Sequence, residues 1–143
     1  MVKIIGRKAH AARLKRMTGA EMVKGVGQAL YVGGQMIEVD AEISITQGSV
    51  SGKGHVPSKP GEPPNRDTGD LDRNIETVQV APLRVEVSSN SAHAVHLEVG
   101  TSKMAARPYM QPAARRNKDE VTKLVRDAVS RVVKAAGQGN PKG

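Results

Sequence analysis

Apolar residues between Thr18 and position 45 recur at intervals of three and four, which is the spacing of one face of an α-helix. Thr18 is placed to cap this helix, with Glu21 three residues later as its capping-box partner. The pattern predicts a long helix over residues 19–45, preceded by a basic N-terminal segment at residues 1–17. The apolar stripe comprises Met22, Val23, Val26, Leu30, Gly33, Met36 and Ile37.

Four glycines fall inside the predicted helix, at positions 25, 27, 33 and 34. Each costs about 1 kcal/mol relative to alanine in an exposed helix interior. Close approach of another element would explain them, and so would a kink or break near Gly33. The sequence leaves both explanations open.

A second helical stripe occupies the C-terminal part of the chain. Pro108 fixes a backbone angle suited to a first helical turn, so the helix is expected to begin just after Arg107. Gly137 is expected to end it, leaving residues 137–143 as a mobile tail. The stripe consists of Val121, Leu124, Val125, Ala128, Val132 and Ala136.

The residues between the two helices divide into a loop and several extended runs. Residues 46–68 are rich in glycine and proline and predict a long, exposed, flexible loop. After a turn at residues 70–73, the runs 75–80 and 83–88 predict a β-hairpin, with Leu83, Val85 and Val87 on its buried face. The run 92–99 is either a strand or a short helix leading into a strand.

These elements predict an α+β fold. The long N-terminal helix and the C-terminal helix would pack on a small, mainly antiparallel β-sheet, in a single domain spanning residues 1–143.

Composition makes the expected core unusual. The 143 residues include no Phe, Trp or Cys, and the aromatic residues are Tyr31 and Tyr109 alone. A core of Val, Leu, Ile, Met and Ala buries less area per residue than one with aromatic rings, which favours completion of the core by neighbouring subunits. The lack of cysteine excludes disulfides and thiolate chemistry and fits a cytosolic origin. No apolar run suggests a signal peptide or a membrane span.

The net charge of +8 is unevenly distributed. Residues 1–24 carry a balance of +6, residues 25–102 a balance of −5, and residues 103–143 a balance of +7. Basic ends of this kind could contact nucleic acid. They could also let the basic surface of one subunit meet the acidic surface of another, or simply be solvated.

The segment from position 96 to 116, HLEVGTSKMAARPYMQPAARR, is the most informative motif. It joins an apolar run, a Gly-Thr turn, a basic loop and a proline-started helix. The segment resembles the C-terminal signature of the head-to-tail joining proteins of tailed bacteriophages, also called tail completion, tail terminator or neck proteins. The upstream run HVPSKPGEPPNRDTGDL, positions 55–71, resembles the proline-rich loop of the same family. The matching positions are Glu98, Gly100, Thr101, Lys103, Met104, Arg107, Pro108, Tyr109, Pro112 and Ala113.

The resemblance implies a virion structural protein at the head–tail junction of a tailed phage or a phage-like gene-transfer particle, assembled in the cytoplasm of the bacterial host. Its expected partners are further copies of itself in a homo-oligomeric ring, with six copies expected, together with a tail tube protein and a head-closure or connector protein. Contact with DNA would be non-specific and in passing. The expected interface residues are Lys59, Glu62, Arg66, Glu98, Gly100, Thr101, Lys103, Met104, Arg107, Pro108 and Tyr109.

Candidate catalytic chemistry is weak throughout the sequence. The run GSVSGKG at positions 48–54 has the wrong spacing for a phosphate-binding loop and is followed by prolines. His93, His96 and Glu98 do not share a face in either a strand or a helix, so no metal site is expected. We therefore expect no enzyme activity, cofactor or metal. The main alternative is a basic nucleic-acid-binding accessory protein, and a toxin-like or regulatory protein is a further rival.

Overall fold

The computed structural model describes residues 6–46, 57–65 and 70–137. These ranges contain five helices and a two-stranded antiparallel sheet, which agrees with the expected α+β fold. In chain order the elements are α1 (Arg7–Thr18), α2 (Ala20–Thr46), α3 (Asp70–Arg73), β1 (Ile75–Ala81), β2 (Arg84–Ser89), α4 (Ala94–Val99) and α5 (Met110–Gly137).

The helix predicted over 19–45 is present as α2, but its cap is not the predicted one. Thr18 is the last residue of a separate helix, α1, and its hydroxyl donates to the carbonyl of Leu14 at 2.9 Å. Gly19 separates the two helices, and its carbonyl accepts the backbone N–H of Val23. The basic N-terminal segment is therefore helical from Arg7 onward, which its weak apolar pattern did not indicate.

The glycines of α2 lie where other elements approach most closely. A Cβ on Gly33 would lie 2.9 Å from Val121 of α5, and one on Gly34 would lie 2.7 Å from Thr77 of β1. α2 is continuous through both positions. Close packing, and not a break in the helix, accounts for these glycines.

The helices α2 and α5 run antiparallel along each other. Gly25 faces Val132 near one end of the pair, and the Asp40 carboxylate accepts a 2.8 Å hydrogen bond from Asn117 near the other. The hairpin packs across the same helix α2, so α2 lies between the sheet and α5.

The hairpin has the predicted alternation in β2 with one difference. Val85 and Val87 are half-buried against α2, as expected, whereas Leu83 lies in the turn between the strands and is 53% exposed. β1 ends at Ala81 and β2 begins at Arg84, so Leu83 belongs to neither strand, and the pairing shifts register between Gln79 and Ala81, next to this turn.

The run 92–99 forms a helix, α4, and no strand follows it within the described residues. Ala94 and Leu97 lie three positions apart and contribute to the core, while Val95 and Val99 point outward at 67% and 68% exposure. A spacing of three places the two inner residues on one helical face, which a strand would not do.

The core lies where α2, β1, α4 and the start of α5 meet. Its buried members are Ala41, Ile45, Ile75, Ala94, Tyr109 and Ala113. Tyr109 is 1% exposed and is one of the two largest fully buried side chains among the described residues, the other being Ile45. The aliphatic core expected from composition is thus built around one tyrosine.

Candidate partner-binding surface

Glu98 holds the start of α5. Its carboxylate accepts hydrogen bonds from the backbone N–H groups of Tyr109, Met110 and Gln111, at 3.0, 3.1 and 2.8 Å. The first N–H groups of a helix have no partner within the helix, and an anion there also interacts favourably with the helix dipole. Glu98 therefore caps α5 from eleven residues upstream, a role that the sequence did not reveal.

Gly100 allows the chain to turn immediately after α4. Its φ of +78° belongs to the region that glycine adopts without strain, and a Cβ there would lie 2.9 Å from the backbone nitrogen of Ala106. Beyond it, Thr101 and Met104 exchange backbone hydrogen bonds across a tight turn that exposes Lys103. The residues after Gly100 thus fold back over α4.

The proline-rich residues 57–65 dock onto this turn within the same chain. The Gly61 N–H donates to the carbonyl of Ala106 at 2.9 Å, and Arg107 Nε donates to the carbonyl of Ser58 at 3.1 Å. Ser58 and Pro64 are buried. The other residues of this part of the predicted loop are exposed or half-buried, and its backbone has partners in Ala106 and Arg107. Residues 47–56 and 66–69 lie outside the described residues.

Tyr109 belongs to the core and not to the surface. Burial raises the pKa of its phenol, and the neighbouring Glu98 carboxylate raises it further, while a hydrogen bond with Ser89 acts in the opposite direction. With 1% of its surface exposed, Tyr109 has no side-chain area to offer a partner.

The predicted interface residues divide by exposure. Lys59, Glu62, Thr101 and Lys103 are exposed. Glu98, Gly100, Met104, Arg107 and Pro108 are half-buried, and Glu98 and Arg107 already have partners within the chain. Arg66 lies outside the described residues, as do the glycine-rich run at 48–54 and the tail from residue 138.

A second surface, on α2, was not predicted. Val32, Met36, Val39 and Ile43 follow one another at intervals of four, three and four, and Val32, Val39 and Ile43 are 45%, 50% and 47% exposed. We call these four residues the α2 stripe. The signal was present in the sequence as a second apolar series beside the predicted one, on a helix with no basic residue after position 24.

The α2 stripe lies along a groove. A hollow of about 460 Å³ is lined by the stripe, Asp40 and Asn117, and a second, of about 470 Å³, shares Asp40 and Ile43 with it and reaches Glu62. Asp40 is held by Arg116 Nε at 2.9 Å as well as by Asn117. The groove is therefore apolar at one end and polar at the other, where residues 57–65 form its wall.

Acidic side chains also accumulate on the side of α2 that faces β1 and α3. Burial raises the pKa of Glu42, and the negative charges of Glu38 and Asp72 raise it further. Glu38 accepts a hydrogen bond from the Thr77 hydroxyl. The C-terminal half of α2 thus carries acidic charge without a compensating basic residue of its own.

Within the described ranges, no three His, Cys, Asp or Glu side chains are grouped so as to hold a metal ion. None of the helices in those ranges combines the length and apolar character needed to cross a bilayer.

Comparisons with known proteins add no relative to this picture: no family model, no curated protein and no solved structure matches the chain.

Proposed function

We propose that this protein is a structural component of the head–tail junction of a tailed phage or a phage-like gene-transfer particle, where copies assemble into a ring that completes the tail. The proposal begins from the resemblance of positions 55–71 and 96–116 to the tail completion family. Both segments contribute to one structural unit, since residues 57–65 dock on the turn that follows α4.

The observation that carries the proposal is the amount of apolar surface left uncovered in a single chain. Ten large apolar side chains of the described residues are 36% exposed or more, including three of the four α2 stripe members and Val95, Val99, Val78 and Val80. Buried hydrophobic side chains in the same residues are mostly alanine. Patches of this kind mark protein interaction sites, and assembly would bury what the small core does not.

Exposed groups at the turn supply the expected contact with the tail tube or connector. Lys103 projects from the tight turn closed by Thr101 and Met104, and Lys59 and Glu62 are exposed on the segment 57–65, which is bonded to Ala106 and Arg107. Arg107 is less suited to this role because its guanidinium holds the Ser58 carbonyl.

The native mass of the purified protein tests the proposal. It would be measured alone and with the presumptive tail-tube or connector partner, at low and moderate salt. A discrete ring, formed alone or with partner, is the expected result. A monomer under every condition would refute the proposal.

A variant pair tests the turn. Lys103→Glu should leave the chain folded but block attachment of tails to heads, whereas Lys123→Glu, an exposed lysine on α5, should not. Normal particles from Lys103→Glu would remove the turn from the interface.

Nucleic-acid binding remains the second candidate because of α1. Every described side chain of α1 from Arg7 to Lys15 is exposed, and the helix contains five basic residues and no acidic one. A protein that binds phosphate groups through such a helix loses affinity steeply with salt. Tight, salt-sensitive DNA binding by a persistent monomer would favour this candidate over the ring.

A further inference from the structure

From the charges and the uncovered apolar groove, we infer that the groove along the α2 stripe receives helix α1 of the next copy in the assembly. The inference rests on the proposed ring and names the contact that would build it. It concerns an exposed basic helix and an exposed apolar groove, of which the polar end alone meets the docked segment 57–65.

Helix α1 contacts the end of α5, but its described side chains from Arg7 to Lys15 are left exposed. Its twelve residues have no acidic side chain in the first turn and no side-chain cap, and Gly6 precedes it. Helices of this length are marginal in water without packing. Leu14, the large apolar residue among its described side chains, is 45% exposed. A helix of this kind gains stability when a partner covers it.

The groove and α1 are complementary in charge. Asp40 and Glu62 line the groove, where Arg116 pairs with Asp40. Glu38 and Glu42 add negative charge elsewhere on the same helix, which has no basic residue after position 24. The residues of α1 are basic at Arg7, Lys8, Arg13, Lys15 and Arg16. Leu14 and the neighbouring alanines would lie against the stripe, with the basic groups at its acidic margin.

A chain does not fill its own groove. Arg13 lies beside Gly137, since a Cβ on that glycine would lie 3.6 Å from the guanidinium. Asn117, on the wall of the groove, is twenty residues away along α5, or about 30 Å at 1.5 Å per residue. The basic helix and the groove thus lie at opposite ends of the α2–α5 pair.

This separation determines the type of assembly. A contact between different surfaces of two identical chains is heterologous, and its repetition gives a closed ring or an open filament. Pairing of the α2 stripe with the same stripe of another copy would instead give an isolated two-fold dimer. Charge favours the first arrangement, because face-to-face stripes would bring together two copies of a helix half that has three acidic residues and no basic one.

Cross-linking tests which surfaces meet. The chain has no cysteine, so Leu14→Cys and Val39→Cys can each supply a single thiol. Mixed copies treated with a short bifunctional maleimide should give a dimer that contains one of each variant. Leu14→Cys mixed with Val99→Cys is the control and should not react, although Val99, on α4, is more exposed than Val39. Dimers from Val39→Cys alone would overturn the inference in favour of stripe-to-stripe pairing.

Charge substitution at Val39 gives an independent measurement on the full chain. Val39→Lys would place a positive charge opposite the basic helix α1 of the next copy. It should weaken self-association by about tenfold relative to Val39→Glu. Adding Lys8→Glu and Lys15→Glu to Val39→Lys should recover most of the loss. Circular dichroism checks that each variant folds. Because Val39 is half exposed, a charged side chain at this position should be compatible with the folded chain.

The outcomes separate the two proposals. A ring that forms normally, with no Leu14–Val39 cross-link and equal effects of lysine and glutamate at Val39, overturns this inference and leaves the proposed function standing. Absence of any assembly in the wild-type protein, alone or with partner, refutes the proposed function and this inference with it.

Discussion

Replacing Glu98 should destabilise the start of α5 more than replacing any other charged residue at the turn. Its carboxylate satisfies three backbone N–H groups that otherwise have no helical partner. Loss of a cap costs about 0.5–2 kcal/mol, and loss of hydrogen bonds to a charged group raises the figure. We expect Glu98→Ala to lower the free energy of unfolding by about 2–3 kcal/mol.

Glu98→Gln separates charge from hydrogen bonding. The amide keeps one acceptor oxygen but loses the favourable interaction of a negative charge with the helix N-terminus, which is worth about 0.3–1 kcal/mol. The glutamine variant should therefore lie between the wild type and Glu98→Ala.

Thermal unfolding followed by circular dichroism measures the effect. For a chain of this size, 1 kcal/mol corresponds to about 3–5 °C in Tm, so Glu98→Ala should unfold roughly 6–15 °C earlier. All variants must be compared at one protein concentration, because assembly raises apparent stability. Glu120→Ala, an exposed glutamate on the same helix, is the matched control. Equal Tm values for Glu98→Ala and Glu120→Ala would refute the capping role.

Three further predictions concern α2 and the core. Gly27→Ala places a Cβ 2.5 Å from the Pro82 carbonyl and should lower the free energy of unfolding in urea by about 1–2 kcal/mol, with the gain in helix propensity included. Gly25→Ala meets only a valine methyl at 3.3 Å and should change the free energy of unfolding by less than about 0.5 kcal/mol. The reverse order would contradict the packing argument. Because burial and neighbouring negative charges raise the pKa of Glu42, its ionisation opposes folding as pH rises above about 4.5. Glu42→Gln should therefore be more stable than wild type at pH 7, with the advantage shrinking toward pH 4 in urea titrations, and an advantage that grew in acid would show the sign to be wrong. The raised pKa of Tyr109 predicts that its contribution to stability is fully present below pH 10 and is lost as pH rises beyond it. Tyr109→Phe should remove this alkaline loss, and a variant that lost stability as steeply as wild type would contradict the prediction.

The helices were predictable because their apolar spacing is regular over many turns. Both α2 and α5 lie within a residue or two of their expected bounds. The sequence left close packing and a break as alternative explanations for the glycines of α2, and the contacts of the structure decide for close packing. The hairpin was predictable for the same reason, from its alternation.

Short elements were less predictable because few residues determine them. The six residues of α4 fit a strand or a helix equally well by composition, and only packing of Ala94 and Leu97 in the core decides between them. Helix α1 was not predicted because its apolar pattern is weak and its sequence is dominated by basic residues and alanine.

The roles of individual residues at the turn depended on contacts distant in sequence. Nothing near Glu98 indicates that its partners are N–H groups eleven to thirteen positions later, and nothing near Arg107 points to the carbonyl of Ser58, 49 positions earlier. The structure shows that several polar residues at the turn stabilise the chain itself.

The capping of α5 by Glu98 also has a mechanical consequence. Residues 57–65 are tied to the turn by Gly61 and Arg107, and the end of α4 is tied to the start of α5 by Glu98. A pull applied at the turn is therefore passed into the backbone of a 28-residue helix about 42 Å long. Load entering at one end of the molecule can reach the other without first breaking the apolar core.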